Sequence, residues 1–128
     1  MPDLKLKQMR YETDTWKRLL AFMLDENVYL KNRLSEILKD KFDDFLLEEV
    51  DNFQNIFIKE DELIGLLRNE VAEIDQLLKK EIAEDGQIIN EIDRKLKKLR
   101  TNIITAEKQF GKLKSDFNSF LSENIFTM

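Results

Sequence analysis

The chain has 128 residues, of which 42% are hydrophobic and 37% are charged, and its net charge is −5. This length can bury one core without disulfides or a metal, so we expect a single domain over residues 1–128. Cysteine and histidine are both absent, which excludes disulfides, thiol nucleophiles, thiolate or imidazole metal ligands and a histidine base. Because only three glycines and one proline interrupt the chain, we predict an all-α protein.

The first residues, 1–12, are polar and mildly basic, and we predict that they are frayed. They lack the apolar core of a secretion signal, so the cytoplasm is the expected compartment. No apolar run in the sequence is long enough to span a membrane, and no membrane partner is expected.

The first predicted helix covers residues 13–40. It opens near Thr13 or Asp14, where Asp14 or Thr15 can cap the free amides of the first turn. Apolar residues then recur three and four positions apart, which is the spacing of one helix face. They are Trp16, Leu20, Met23, Leu30, Leu34 and Ile37, with Asn27 as the polar exception. The pattern loses register around residues 39–44, which indicates a tight turn.

The second predicted helix covers residues 42–83, and the third covers residues 87–124. Helix two repeats the three-and-four spacing, and only Glu60 interrupts its apolar seam. The seam of helix three has no polar residue: Ile89, Ile92, Leu96, Leu99, Ile103, Ala106, Phe110, Leu113, Phe117 and Phe120. Between the two helices, Gly86 is a good left-handed helix terminator, so we favour a short turn over one very long helix with a stutter.

Three such helices predict a coiled-coil-like three-helix bundle. Helices two and three form a long antiparallel hairpin, and a shorter N-terminal helix packs on its base. The twelve aromatic residues fit this arrangement because all of them avoid residues 58–109, where a two-helix seam would prefer aliphatic side chains. Charge fits as well. Residues 94–114 hold eight basic residues and one acid, and the hairpin places them beside the acidic stretch 56–76.

Two polar residues, Asn27 and Glu60, stand at seam positions between large apolar neighbours. A turn near residue 41 would place Asn27 opposite Ile56 and Phe57, within about one turn of Glu60. We interpret Asn27, Glu60 and Gln109 as a buried polar layer that fixes register at some loss of stability. The alternatives are a small-ligand pocket around Glu60 and Asn27, and simple exposure of Glu60 at the bundle edge. If Glu60 is buried without a cation nearby, its pKa should be raised.

Several large apolar residues lie off these seams, and we predict that they form an interface. A lone monomer would leave them in water and forgo about 1.5–3 kcal/mol for each one that could be fully buried. As a set they favour self-association into a homodimer or a higher oligomer, with another helical protein as a second candidate partner. The set is Phe22, Tyr29, Phe45, Leu66, Leu77, Ile82 and Ile88.

The remaining charged clusters give little indication of a nucleic-acid, lipid or metal site. The basic run at residues 93–100 could bind nucleic acid or an anionic lipid surface, but no aromatic residue interleaves its cations. The acidic clusters lack the spacing of a dedicated calcium loop. We therefore predict no catalytic residues, no metal, no cofactor and no nucleic-acid partner. The predicted function is that of a non-enzymatic structural or interaction module.

Overall fold

The computed structural model describes residues 2–39, 44–84 and 88–124. It contains three helices, α1 (Pro2–Ile37), α2 (Asp44–Glu84) and α3 (Ile89–Asn124). No strand occurs in these three stretches. The predicted all-α three-helix bundle is confirmed. The two connections, including the predicted turn at Gly86 and the predicted starts of helices two and three at residues 42 and 87, lie outside the described residues.

The N-terminal helix is longer than the sequence pattern suggested. It begins at Pro2, where proline is well tolerated because the first helical amide has no partner to lose. The predicted start at residue 13 is therefore wrong, and residues 2–12, which were predicted to be frayed, lie within the helix. Met9 is buried in the core, and the fully buried Thr13 donates its hydroxyl proton to the Arg10 carbonyl at 3.0 Å instead of capping a helix.

The 36 residues of α1 equal those of α3, and at about 1.5 Å per residue each helix is roughly 54 Å long. The first helix is shorter than α2, which has 41 residues, but it is not packed only on the base of the hairpin, because it runs along almost the whole bundle. The ion pair between Lys5 and Asp93 shows this, because it joins the beginning of α1 to the first turns of α3.

Contacts between side chains define the direction of each helix. Lys17 pairs with Asp75, and Lys31 pairs with Asp61, so residue numbers rise along α1 while they fall along α2. The same opposition holds between α2 and α3, where Glu73 lies beside Lys95 and Phe53 lies beside Phe117. Helices α2 and α3 therefore form the predicted antiparallel hairpin, and α1 runs parallel to α3.

The core is the predicted three-and-four seam of all three helices. It is aromatic at the end where α2 begins and α3 ends, and there four phenylalanine rings pack with centroid distances of 5.1–6.2 Å. They are Phe53, Phe57, Phe117 and Phe120. At the opposite end, the core residues of α2 and α3 are aliphatic, among them Ile74, Leu78 and Ile92, and α1 contributes the buried Trp16 near Leu96. We call the aromatic end the base and the opposite end the tip.

At the tip, a buried carboxylate of α2 accepts a hydrogen bond from the backbone just before α3. Glu81 Oε2 accepts a hydrogen bond from the Ile88 backbone N–H at 2.7 Å, and the Glu81 side chain is almost completely buried. Ile88 precedes the first residue of α3, and its carbonyl accepts the N–H of Ile92. A carboxylate at a helix N-terminus is favourable because it satisfies a free amide and opposes the helix dipole. This role of Glu81 was not predicted from the sequence.

Candidate interaction surface

The buried polar residue Asn27 joins α1 to α2. Its Nδ2 atom donates to the Phe57 carbonyl at 2.9 Å and to Asp61 Oδ1 at 2.7 Å, while the side chain is fully buried. Lys31, one turn further along α1, forms an ion pair with Asp61 Oδ2. Asn27 thus lies opposite Phe57, where a turn near residue 41 was expected to place it. The Oδ1 atom of Asn27 is buried without a hydrogen-bond partner.

Glu60 lies on the same stretch of α2, three residues after Phe57. It is only 9% exposed, and its Oε2 atom has no hydrogen-bond partner in the described structure. Burial raises the pKa of the Glu60 carboxyl above its ordinary value, because the charged form loses its hydration. Simple exposure of Glu60 at the bundle edge is therefore wrong.

The third residue of the predicted polar layer, Gln109, is exposed. It precedes the core residue Phe110 by one position, and that rotation of about 100° carries its side chain out of the seam. Gln109 is therefore removed from the layer. Lys114, which lies near the same level, forms an ion pair with Glu26 at 3.0 Å.

Two ion pairs close the surface seam between α1 and α2. Lys17 and Lys31 are fourteen residues apart on α1, and their partners Asp75 and Asp61 are fourteen apart on α2. This spacing places both pairs on one edge of the contact. Burial acts to raise the pKa of Asp75, but the hydrogen bond and charge of Lys17, with Lys79, outweigh it and the pKa lies below its ordinary value.

Three more ion pairs close the seam between α1 and α3. They join residues that are each 88 positions apart in the chain and that recur at intervals of seven or fourteen, as expected for parallel helices in a constant register. The pairs are Lys5–Asp93, Glu12–Arg100 and Glu26–Lys114. The Arg100 guanidinium donates two hydrogen bonds to Glu12, at 2.7 and 2.9 Å, and this bonding raises the pKa of Arg100.

The seam between α2 and α3 has fewer ion pairs than the other two seams in the described part of the chain. One ion pair, Glu73–Lys95 at 2.8 Å, links the described parts of these helices, and it lies near the tip. The expected pairing of the basic stretch 94–114 with the acidic stretch 56–76 is thus confirmed only there. The other cross-helix ion pairs of both stretches are formed with α1, because α1 is long enough to contact both helices along the bundle.

The outer surface of this seam, which we call the α2/α3 face, can be traced from two grooves. A groove of about 430 Å³ at the base lies between Phe45 and Glu49 of α2 and Asp116 and Glu123 of α3. A smaller groove of about 170 Å³ near the tip lies between the two helices at the Glu73–Lys95 pair. Residues seven apart occupy one column on helices packed with this spacing. Helix α2 contributes two columns to the face: the first is Phe45, Asn52, Lys59, Leu66 and Glu73, and the second is Glu49, Ile56, Leu63, Glu70 and Leu77. The chain at and after Ile88 contributes two more: the first is Ile88, Lys95, Asn102, Gln109, Asp116 and Glu123, and the second is Lys98, Thr105, Lys112 and Ser119.

Four of the predicted interface residues belong to the α2/α3 face. Phe45 is 69% exposed and Leu66 is 55% exposed, whereas Leu77 and Ile88 are partly buried against the core. The structure adds Ile56, which is 41% exposed on the same face. Ile56 was not among the predicted interface residues, although its spacing of seven from Glu49 and Leu63 can be read from the sequence.

The other predicted interface residues lie elsewhere. Phe22 and Tyr29 are exposed on α1, and the Nζ atom of Lys114 lies 6.0 Å from the centroid of the Phe22 ring. A cation at this distance is attracted to the ring face, so Phe22 already has a neighbour from α3. The Tyr29 hydroxyl accepts a hydrogen bond from Arg33 at 3.5 Å. The side chain of Ile82 lies outside the described residues.

Other kinds of site find little support in the described part of the chain. Among the described residues, no group of three or more acidic, histidine or cysteine side chains could hold a metal ion. No helix within the described ranges is both long and apolar enough to cross a membrane. Of the eight basic residues in 94–114, Lys95, Lys97, Arg100 and Lys114 are engaged in ion pairs.

Comparison of the chain with protein-family models, curated proteins and solved structures gave no match. The fold and the surface described above are therefore the basis for a functional proposal.

Proposed function

We propose that the protein is a non-enzymatic helical interaction module, packed as a coiled coil, that associates with helices through its α2/α3 face. The observation that carries this proposal is the uneven distribution of ion pairs among the three seams. Among the described residues, five cross-helix ion pairs lie on the two seams that involve α1, whereas the third has one ion pair and three exposed large apolar side chains. A groove of about 490 Å³ also lies between α1 and α3, but the ion-paired residues Lys5, Asp93, Glu12 and Arg100 line it. The seam with few ion pairs and exposed apolar side chains is the one that suits packing against another helix.

The distribution of chemically capable side chains supports a non-enzymatic role. The strongest candidates for acid–base chemistry, Glu60 and Asn27, lie in the core, and neither lines any of the five surface grooves described in this structure. The ion-paired cations of the basic stretch support a protein partner over nucleic acid, because a phosphate would have to compete with carboxylates already in contact. The cytoplasm stays the expected compartment.

The second candidate function is binding of a small ligand at Glu60 and Asn27. It is favoured by one observation, namely that the Asn27 Oδ1 and Glu60 Oε2 atoms are both buried without a hydrogen-bond partner. Unsatisfied buried acceptors would be satisfied by a ligand that donates hydrogen bonds.

A paired substitution on the α2/α3 face tests the leading proposal. We expect Phe45→Ser combined with Leu66→Ser to abolish association while the helical content stays unchanged, because both side chains are exposed and contribute little to the core. The measurement is binding of the purified chain, and of proteins from a lysate of the source organism, to immobilised wild type and variant.

The matched control is Leu4→Ser combined with Tyr11→Ser. These residues are 61% and 72% exposed on α1, away from the α2/α3 face, so the control should bind as the wild type does. Equal binding by the wild type, the face variant and the control would contradict the proposal, because the apolar residues of the face would then contribute nothing.

A further inference from the structure

The apolar residues of the α2/α3 face are arranged symmetrically about Ile56. Phe45 precedes Ile56 by eleven residues, and Leu66 follows it by ten. All three are exposed large hydrophobic side chains of α2. This nearly even spacing is compatible with an isologous two-fold interface, in which paired residues meet at a similar distance on either side of the axis.

Charges on the face follow the same symmetry. The contacts Phe53–Phe117 and Glu73–Lys95 set the register of α2 against α3. In that register Lys112 lies at the level of Lys59, on the tip side of Ile56. On the base side, Glu123 lies near the level of Glu49, and Asp116 lies close to Ile56 itself. Two cations thus flank Ile56 on one side, and acidic residues flank it on the other.

We propose that a second copy of this chain docks antiparallel on the α2/α3 face, about a two-fold axis that passes beside Ile56. This inference rests on the proposed function and names the partner. The two Ile56 side chains meet at the axis, and Phe45 packs against Leu66 of the partner subunit. Lys59 and Lys112 of each subunit come to lie between the levels of the partner subunit's Glu49 and the partner subunit's Ile56. The electrostatic complementarity of the face with its own rotated copy is the reason for choosing a second copy over another partner.

The size of the face is sufficient for a specific but weak dimer. From Phe45 to Leu66 the face is about 32 Å long at 1.5 Å per residue, and two adjacent helices are about 20 Å wide. The buried surface is then about 600 Å² per subunit, or roughly 1,200 Å² in total, which is the lower limit of specific interfaces. We therefore expect a dimer that dissociates on dilution.

Cysteine cross-linking tests this geometry directly, because the sequence contains no cysteine. We expect most of an Ile56→Cys variant to form a disulfide-linked dimer under mild oxidation, since the two positions meet at the axis. Phe45→Cys alone should remain uncross-linked, because its two copies would be about 33 Å apart along the helices. A mixture of Phe45→Cys and Leu66→Cys chains should form the mixed disulfide, and Tyr11→Cys on α1 is the control that should not cross-link.

Three outcomes would overturn the proposed dimer. The first is that the Ile56→Cys chain forms no more cross-linked dimer than the Tyr11→Cys control at the same concentration. The second is that the Phe45→Cys chain cross-links to itself. The third is that a mixture of Phe45→Cys and Leu66→Cys chains gives no mixed disulfide. If any of these occurs while the Phe45→Ser and Leu66→Ser substitutions still abolish binding to another protein, the two-fold dimer is wrong and the proposed function stands. If those substitutions abolish no binding at all, the proposed function itself is wrong.

Discussion

Replacing Asn27 by aspartate should destabilise the bundle by about 3–5 kcal/mol, the usual cost of an unpaired buried charge. The substitution changes almost nothing in size, but it replaces the Nδ2 donor by a carboxylate oxygen. That oxygen would face the Phe57 carbonyl and Asp61 Oδ1, which Asn27 now contacts at 2.9 and 2.7 Å. Three acceptors would then meet without a proton in a fully buried position. Urea denaturation at pH 7, followed by circular dichroism, measures the loss.

The loss from Asn27→Asp should shrink as the pH falls. Burial beside Asp61 would raise the folded-state pKa of the new carboxyl, so the penalty is full above that pKa and disappears below the unfolded value of about 3.9. Asn27→Leu is the control: it removes the same hydrogen bonds without adding a charge and should cost much less. An Asn27→Asp protein within 1 kcal/mol of the wild type at pH 7 would show that Asn27 does not hold α1 against α2 as described.

Replacing Glu60 by leucine should stabilise the protein by about 1–3 kcal/mol, the range expected when a buried unpaired polar group is removed. Glu60 is nine-tenths buried, has an unpartnered Oε2 atom and stands in an otherwise apolar seam. Leucine fits the neighbouring pattern of Phe57 and Ile64, both fully buried. The midpoint of thermal unfolding at pH 7 should rise by several degrees.

The gain from Glu60→Leu should depend on pH in a defined direction. The folded-state pKa of Glu60 is raised, so between the unfolded value of 4.5 and the folded value the native state binds more protons than the unfolded state. Stability of the wild type therefore falls as the pH rises through that window, and the penalty is complete above the folded pKa. The pKa of Asp75 is lowered as described above, and a hydrogen bond from Lys97 lowers the pKa of Asp93. Both shifts act in the opposite direction, but they are common to both proteins and cancel in the difference.

Glu60→Gln separates the charge from the shape of the side chain. It should remove the pH-dependent part of the penalty and gain less than Glu60→Leu, because its amide stays polar. A Glu60→Leu protein that is less stable than the wild type at pH 7 would contradict the assignment of Glu60 as an unpaired buried acid. A ligand-binding role would instead appear as a ligand-induced rise in stability that Glu60→Gln abolishes while the fold survives.

The helix pattern could be predicted from sequence because the apolar spacing is strong wherever the core is continuous. The described helices reach Glu84 and Asn124, next to the predicted ends at residues 83 and 124, and Asn27 lies opposite Phe57 as predicted. The start of α1 was missed because only Leu6 and Met9 carry the seam through its first turns, among charged residues. Contacts with α3, such as Lys5–Asp93, help to hold those turns in place, and such distant partners are invisible to a local pattern.

The charged surface was harder to predict than the core. The sequence contained the acidic and basic stretches, but it could not show that α1 would contact both hairpin helices along their length. Once α1 is in place, Arg100 and Lys114 bind its acids, and Asp61 and Asp75 bind its lysines. The α2/α3 seam is therefore the one with fewest ion pairs, a consequence of packing that spacing within one helix does not reveal. The prediction that Gln109 is buried was wrong for a related reason. Gln109 is one position from the seam residue Phe110, and one position along a helix turns a side chain from the core to the surface.

Sedimentation equilibrium of the wild type and of the chain with both Phe45→Ser and Leu66→Ser, over a wide concentration range, measures whether the α2/α3 face drives association. The open α2/α3 face predicts a wild-type mass that rises from the 15.3 kDa of one chain toward twice that value as concentration increases. The variant should keep the mass of one chain throughout. Association through the α2/α3 face would be wrong if the wild type keeps the mass of one chain at every concentration. It would also be wrong if the variant associates as strongly as the wild type.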